Sequence, residues 1–444
     1  MKYYCIGIKG SGMSTLAQIL YDLGNTVSGY DDHKEFKYTE EGLKNRNIKI
    51  YYDNDHDIDK DTIVTYSVAF KPEHPEMKRV KKLGLNIKSY HEVMGDLTKM
   101  FETTSVCGTH GKTTTSLLIS HVLENTLGCN YFVGSGDGYA KKDNKLFVVE
   151  SDEFNRHFLA YQPTNTLLTN IELDHTEIYK DLNDLIQTFN AFVNKTTRLL
   201  VMYGDDENIR KLNIKEGLNT IYYGFNDNND LICKNVSLTD KGSSFDVYMK
   251  DKFYGHFDLP LYGKHMILNA LGSIAILDSY KISYDDIHKY IENFKGAKKR
   301  FNIKDLGEYI EIDDYAHHPT EIKVTIESAK QKYPDKDVVA VFLPNTYSRT
   351  KDLMNDFIEV LKLADKTYVF EIESNREKKE DFPGVTSRTI TDNINNAEII
   401  TKDSIDKLLN HKNSVICFMS CADIAKYEKM FEEKVKANKN IKIK

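Results

Sequence analysis

Little in this sequence points to a membrane, a nucleic acid or an oxidising compartment. No apolar run approaches the ~20 residues that cross a bilayer, so a spanning helix is not expected. The net charge of −7 over 444 residues is mild. A chain whose main business is nucleic acid carries a basic stripe, and none stands out here. The lysines at the end (Lys434, Lys436, Lys439, Lys442, Lys444) read as a solvated tail. Six cysteines are scattered. Cys5 and Cys107 fall in strand-like apolar runs, and Cys417 and Cys421 flank a strand end without zinc-type partners. All are read as reduced core thiols of a cytoplasmic protein. Met1–Ile8 reads as a strand running into a glycine turn rather than as a signal peptide. Prolines are few, and neither internal repeats nor low-complexity tracts occur.

What is present is ordinary globular composition, 40% hydrophobic and 29% charged. At about 150 residues per domain the length suggests roughly three, each large enough for its own core. The first segment reads strand, turn, helix, strand. Tyr3–Ile8 leads into Gly7-Ile8-Lys9-Gly10-Ser11-Gly12, and Met13, Leu16, Ala17, Leu20 and Leu23 line a helix face ending at Gly24. The strand Thr26–Tyr30 then ends in Asp31-Asp32. The glycine spacing is G-x-x-G-x-G, not the dinucleotide G-x-G-x-x-G, so a helix start holding another diphosphate fits better than an NAD site. The charged stretch Glu92–Thr104 marks a first boundary.

The string Thr109-His110-Gly111-Lys112-Thr113-Thr114-Thr115 follows a short apolar strand and opens a helix with Leu118, Ile119, Val122, Leu123 and Leu127 on one face, stopped by Gly128. Glycines let the backbone close on phosphate oxygens, and free N–H groups at a helix start attract anions. Lys112 is expected to reach the β/γ-phosphates, and Thr113 to ligate Mg²⁺. The strict phosphate-loop pattern is broken, because Val106 stands where its first glycine belongs. A glycine-punctuated helix start with an exposed lysine is the plain alternative.

Two clusters downstream favour the phosphate loop. A strand Lys145–Val149 delivers Glu150-Ser151-Asp152-Glu153, and a strand Thr166–Ile171 delivers Glu172, Asp174 and His175. Open α/β sheets bind ligands just past strand C-termini, and Mg²⁺ takes carboxylate oxygens with an occasional imidazole. Gly224–Gly255 reads as an antiparallel elaboration, after which Gly263-Lys264-His265 opens another helix. From Phe301 onward, strand Val338–Leu343, helix Lys351–Leu363, strand Thr367–Phe370 and strand Val415–Met419 make a further β/α repeat. Asp313-Asp314-Tyr315-Ala316-His317-His318-Pro319 offers adjacent histidines. No third zinc ligand has usable spacing, so a polar substrate-binding loop is the better reading. In Tyr347-Ser348-Arg349-Thr350 the arginine is either a bidentate clamp for a carboxylate or a surface residue in a turn.

Taken together, Gly108–Thr115, Asn170-Ile171-Glu172-Leu173-Asp174-His175, Asn269-Ala270, Lys299-Arg300-Phe301 and Asp313–Glu321 resemble the Mur ligases, in the order that family uses and essentially end to end. The glycine turn Gly7–Ala17 and Tyr347–Thr350 point to the member that takes free L-alanine. The resemblance implies an α/β protein of three domains. These are a Rossmann-like UDP-sugar-binding domain over 1–102, a central P-loop ATPase-type domain over 103–300, and a Rossmann-like amino-acid-binding domain over 301–444. It implies an ATP- and Mg²⁺-dependent amide ligase that joins L-alanine to the carboxylate of UDP-N-acetylmuramate in peptidoglycan precursor synthesis. It further implies that Gly108, Thr109, His110, Gly111, Lys112, Thr113, Thr114, His265, Asn269 and Arg300 bind ATP, and that Thr113, Glu150 and His175 hold Mg²⁺. Gly10, Ser11, Gly12, Met13, Ser14 and Asp31 are placed at the UDP-sugar, and Tyr315, His317 and Arg349 at the amino acid. Lys112, Glu150, His175, Arg300, Asp314 and His317 carry the chemistry. Met266 stands beside His265 where the family often has Asn, and Leu343-Pro344-Asn345 replaces its usual Gln-Pro-His. The alternatives are a tripeptide-adding ligase of peptidoglycan recycling, and a nucleotide-dependent switch without chemistry.

Overall fold

The computed structural model describes the whole chain except Ser135, Asp137, Lys298, Lys299, Asn375, Arg376, Ile443 and Lys444, and the side chains of residues 439–442. Lys299 of the expected Lys-Arg-Phe string and the last lysines of the tail (Lys444, and the side chains of Lys439 and Lys442) therefore lie outside the described residues.

Each third of the chain builds its own sheet. The first has five parallel strands in the order Lys49–Tyr51, Thr26–Tyr30, Lys2–Ile6, Thr62–Tyr66 and Asn86–Ser89. Strand order reverses beside Lys2–Ile6, and the crevice at such a switch point is where open parallel sheets bind ligands. The glycine turn sits there. Gly7 has φ +80°, and a Cβ on it would come within 2.7 Å of the Phe70 ring. Helix Ser11–Asp22 follows and buries Met13, Leu16, Ala17 and Leu20 as the spacing predicts.

Among the described residues the second sheet has ten strands, with the short Gly138–Tyr139 antiparallel to Cys129–Phe132 at one edge. A parallel centre runs Asn219–Gly224, Leu199–Tyr203, Asn165–Leu168, Glu102–Cys107, Leu146–Glu150 and Cys129–Phe132. The antiparallel elaboration expected from sequence is present as Leu231–Thr239, Gly242–Met249 and Lys252–Leu259. Because Glu102–Cys107 lies between Leu146–Glu150 and Asn165–Leu168, three strand C-termini open side by side.

The third sheet is ordered Asn302–Asp305, Tyr309–Asp314, Ser414–Met419, Val338–Phe342, Lys366–Val369 and Ala397–Ile399, parallel except for its first strand. The fold is thus the three-part α/β architecture expected. Among the described residues no helix is long and apolar enough to cross a membrane.

Three local expectations are corrected. The strand expected over Thr166–Ile171 ends at Leu168. Beyond it Asn170 turns to serve the phosphate loop, accepting Thr109 N–H at its carbonyl and His110 N–H at its side chain. The helix after the loop ends at Glu124, where the Thr126 and Gly128 N–H groups fold back onto the Leu123 carbonyl. Leu127 is left exposed rather than on the buried face. The helix expected over Lys351–Leu363 is two, Tyr347–Asp352 and Met354–Leu361, broken at Leu353, whose φ of −109° and ψ of 21° leave the helical region.

Candidate functional site

The phosphate loop leaves strand Glu102–Cys107 and enters helix Lys112–Glu124 through two glycines with positive φ, Gly108 at +131° and Gly111 at +83°. Neither tolerates a side chain. A Cβ on Gly108 would lie 2.1 Å from Thr169 Oγ1, and one on Gly111 would lie 2.7 Å from Asn269 Oδ1. No side chain caps the helix start, so its first-turn N–H groups face the cleft as an anion seat. Lys112 folds over the loop, donating to the carbonyls of Gly108 at 2.7 Å and Thr109 at 3.1 Å and pairing with Glu153 at 2.8 Å. Burial opposes its charge, yet Glu153 and Asp152 hold its pKa above the ordinary lysine value.

The expected metal residues sort into two neighbouring groups. Thr113 Oγ1 donates to Glu150 Oε1 at 2.7 Å, and Glu150 Oε2 accepts Gly134 N–H at 2.7 Å. His175 instead clusters with Asp152 and Glu153, one ligand atom of each lying within 4.8 Å of the others. Thr113, Glu150, Asp152 and His175 line one cleft of about 1060 Å³, together with the phosphate loop, Ser11 of the N-terminal domain and Arg300, Tyr315 and His317 from the C-terminal side, while Glu153 is buried behind them. Oxygen-rich donor sets of this kind fit Mg²⁺.

A second cavity of about 530 Å³ opens on the other side of the loop and contains His110, Gly111, Thr113, Thr114, His265, Asn269, Arg300 and Asp314. Helix Lys264–Ser279 supplies His265 and Asn269. Burial presses the His265 imidazole down to about 4, so it is neutral. Tyr203 and Tyr262 also wall this cavity. As isolated tyrosines in loop-flanking positions they carry no sequence signal. Met266 lies in the wall and takes a 3.8 Å contact from the Asn269 amide at its sulfur.

The C-terminal sheet faces this centre through the loop after Tyr309–Asp314. Asp314 accepts N–H groups of Phe301 at 3.1 Å and Ala316 at 3.0 Å, and burial raises its carboxyl to about 6. Arg300 lies 3.3 Å from Glu321 and over the Tyr315 ring. His317 contacts Glu321 at 3.1 Å. Its pKa is raised above the usual value despite burial, because Cys421 and Glu321 favour the imidazolium. Cys421 is therefore not simply one more core thiol. Burial raises its pKa, but His317 and Arg349 more than offset this and bring it below the ordinary value.

Among the contacts that draw the C-terminal domain onto the central one, three lie at the phosphate loop and the strand ends beside it. His110 Nδ1 lies 3.4 Å from Glu321, Thr320 Oγ1 donates to Glu172 at 2.7 Å, and Arg349 Nη2 donates to Asp174 at 2.8 Å. Arg349 is thus neither a free surface residue nor an open clamp. It is engaged with a carboxylate of the protein.

At the N-terminal end the six expected residues divide. Ser11 lines the large cleft, and Gly10 is exposed beside it. Gly12 packs under Tyr90, and the Met13 side chain faces the core. Ser14 Oγ donates to the Thr39 carbonyl at 2.7 Å, and buried Asp31 accepts Lys9 N–H at 3.0 Å. These last side chains brace the turn. The cleft wall here is built by Tyr38, Glu41, Asn45 and Arg46, which sit in a charged stretch with no pattern to single them out. Facing them, a loop after strand Cys129–Phe132 is gripped by the N-terminal domain. Gln18 Nε2 donates to Gly136 O at 2.9 Å, and Arg46 Nη2 to Gly138 O at 3.1 Å.

The profile of the Mur ligase family catalytic domain matches residues 2–102, that of the Mur ligase middle domain residues 106–277, and that of the Mur ligase glutamate ligase domain residues 299–421. The chain is 42% identical over 436 residues to the UDP-N-acetylmuramate–L-alanine ligase of Lactiplantibacillus plantarum, covering 98% of this chain and 99% of that protein. It is 42% identical over 430 residues to the enzyme of the same name from Lacticaseibacillus paracasei, covering 97% and 98%. Among solved structures, UDP-N-acetylmuramate-alanine ligase from Thermotoga maritima superposes with a TM-score of 0.81 at 26% identity, covering 99% of this chain and 100% of that one. A murein peptide ligase from Psychrobacter arcticus shares the fold with a TM-score of 0.68 at 20% identity, covering 98% of each. With all three family profiles matched in order along its length, the chain belongs to the Mur ligase family.

Proposed function

We propose that this protein is an ATP-dependent amide ligase that joins L-alanine to the carboxylate of UDP-N-acetylmuramate in cytoplasmic peptidoglycan precursor synthesis. The observation that carries the reading is the Thr113–Glu150 contact of 2.7 Å. It places a phosphate-loop hydroxyl and a strand-end carboxylate at one point on the wall of a cleft that all three domains share. In this reading residues 1–102 seat the UDP-sugar, 103–300 the ATP and 301–444 the amino acid.

A carboxylate is a poor electrophile, so the acceptor oxygen first attacks the γ-phosphorus and ADP leaves. The alanine amine then attacks the acyl carbon of the acyl phosphate, loses a proton, and inorganic phosphate departs. Most of the catalysis is positioning and charge neutralisation. Lys112 and the helix N–H groups hold the phosphates. Thr113 and Glu150, with Asp152, Glu153 and His175 nearby, are the residues that would hold Mg²⁺, which when bound screens the negative charge of the phosphates. Arg300 carries a second positive charge to the same cleft. His317, kept cationic beside Glu321, suits a carboxylate or phosphate partner better than the role of a base. Arg349 would receive the alanine carboxylate, with Asp174 as its partner until then.

Purified protein with UDP-N-acetylmuramate and ATP should release phosphate only when an amino acid is added, with L-alanine preferred over L-serine, glycine and tripeptide. Phosphate release with tripeptide but not with alanine would make it a recycling ligase. ATP binding without release under any combination would make it a switch.

A further inference from the structure

The histidine pair His317-His318 has no third zinc ligand at a usable spacing in the sequence, but folding supplies two. His110 of the phosphate loop and Glu172 of the following strand end both face His318, and one ligand atom from each lies within 4.8 Å of the others. His110 Nε2 is 3.1 Å from Glu172 Oε2, and His318 Nδ1 is 3.9 Å from the same oxygen. Donors around a tetrahedral zinc with bonds of about 2.0–2.1 Å stand roughly 3.3 Å apart. These atoms need only small side-chain adjustments to reach that spacing.

Two further observations point to an ion. On the far side of its ring, His110 Nδ1 faces Glu321 Oε1 at 3.4 Å, within ion-pair reach though not yet a hydrogen bond. A carboxylate at the second nitrogen is the usual support of a metal-bound histidine. His318 is 2% exposed, yet its Nδ1, the nitrogen facing Glu172, takes among the described residues only one long hydrogen bond, 3.3 Å from Thr320 N–H. A buried imidazole so poorly satisfied is what a bound ion would explain.

We propose that His110, Glu172 and His318 form a transition-metal site, with Zn²⁺ as the fitting ion, separate from the carboxylate groups around Thr113 and His175. Two imidazoles and one carboxylate are a nitrogen-rich set suited to zinc, whereas Mg²⁺ prefers all-oxygen, near-octahedral surroundings. Three protein ligands leave a fourth position for water. His110 and Glu172 belong to the central domain, and His318 precedes the helix Pro319–Lys332 of the C-terminal one. A bound zinc therefore ties the two domains together and slows any turnover that requires them to part.

The test uses the metal-free full-length chain without nucleotide, titrated with Zn²⁺ against a chromophoric chelator and with Co²⁺ to read its visible absorption. One tightly bound equivalent is expected, with the Co²⁺ spectrum of a low-coordinate nitrogen–oxygen site. That equivalent should vanish in His318→Asn and in Glu172→Gln, which lie on different domains. It should weaken by about 10–100-fold in Glu321→Gln, and persist in His175→Ala. Cooperative thermal unfolding of each variant shows that it has folded. Wild-type zinc affinity in both His318→Asn and Glu172→Gln overturns the proposal, as does loss of the tight equivalent in His175→Ala alone.

Discussion

Arg349 donates from Nε at 3.1 Å and from Nη2 at 2.8 Å to a single oxygen, Oδ1 of Asp174, across the boundary between the C-terminal and central domains. Both side chains are largely enclosed, at 12% and 9% exposure. Burial alone would raise the Asp174 carboxyl, but Arg349 and the histidines at 175, 317 and 318 hold it far below the usual carboxylate range. The pair is fully ionised at any working pH. Only one carboxylate oxygen is engaged, so the guanidinium does not use its full bidentate geometry on Asp174.

An incoming carboxylate can use that geometry. Arg349→Lys should therefore raise the apparent KM for L-alanine far more than that for ATP or UDP-N-acetylmuramate, because an ammonium lacks the planar fork. A smaller fall in kcat should accompany it, since loosely held alanine presents its amine less often along the attack line. Steady-state titration of each substrate checks this. A raised ATP KM with an unchanged alanine KM would make Arg349 a nucleotide ligand.

Lys112→Ala should lower ligation by at least about 10²–10³-fold, the usual loss when one charge-stabilising group is removed. It should also cost stability, because it leaves Glu153, whose side chain is 2% exposed, without its ion-pair partner. Adding Glu153→Gln should restore the melting temperature without restoring activity. A double variant that regains turnover would remove the lysine from the mechanism.

Glu150→Ala and His175→Ala should each shift the Mg²⁺ dependence of phosphate release to higher concentration. The Glu150 variant should show the larger effect, because Glu150 also orients Thr113. Unchanged Mg²⁺ titrations in both variants would count against either residue as a ligand.

A pH effect on stability arises at residues that do not line either cavity. Burial raises Glu311 to about 7. Burial together with Asp313 and Glu311 raises Glu428 to about 8, while Lys304 opposes both shifts. A carboxyl whose folded pKa lies above its unfolded value binds more protons in the native state between the two. Its contribution is thus fully present below the unfolded value near 4.5 and lost as pH rises through about 8. Glu428→Gln should flatten the fall in melting temperature across that window and stabilise the protein on its alkaline side. Thermal melts of both proteins over the range decide it, and parallel curves would contradict a protonated Glu428.

What was legible in the sequence followed from local rules. Gly108, Gly111 and the apolar face behind them announce a loop entering a helix, because the backbone geometry there excludes side chains. Glu150 and His175 were findable because strand ends in a parallel sheet share one rim. The Asp174–Arg349 pair was not, since its members are 175 residues apart and only domain packing joins them. The same holds for His110, Glu172 and His318, whose spacing argued against a metal until the fold brought them together. Strand Asn165–Leu168 looked longer because the β-branched Thr169 and Ile171 continue it on either side of Asn170. The hydrogen bonds of Thr169 and Asn170 to the phosphate loop, and of Ile171 to Asp206 and Asn208, are tertiary demands that end the ladder early.

The loop after Cys129–Phe132 belongs by sequence to the central domain and by contact to both. Its Gly134 N–H holds Glu150, while its Gly136 and Gly138 carbonyls are held by Gln18 and Arg46, and a Cβ on Gly138 would come within 2.6 Å of Thr15. A chimera that exchanged the first sheet between relatives at a cut near residue 102 would leave this loop facing a foreign helix. The carboxylate on its other side would lose its alignment with it. The structural unit that shapes this wall of the cleft is therefore larger than the N-terminal sheet, and a graft that keeps the wall intact has to carry this glycine loop along.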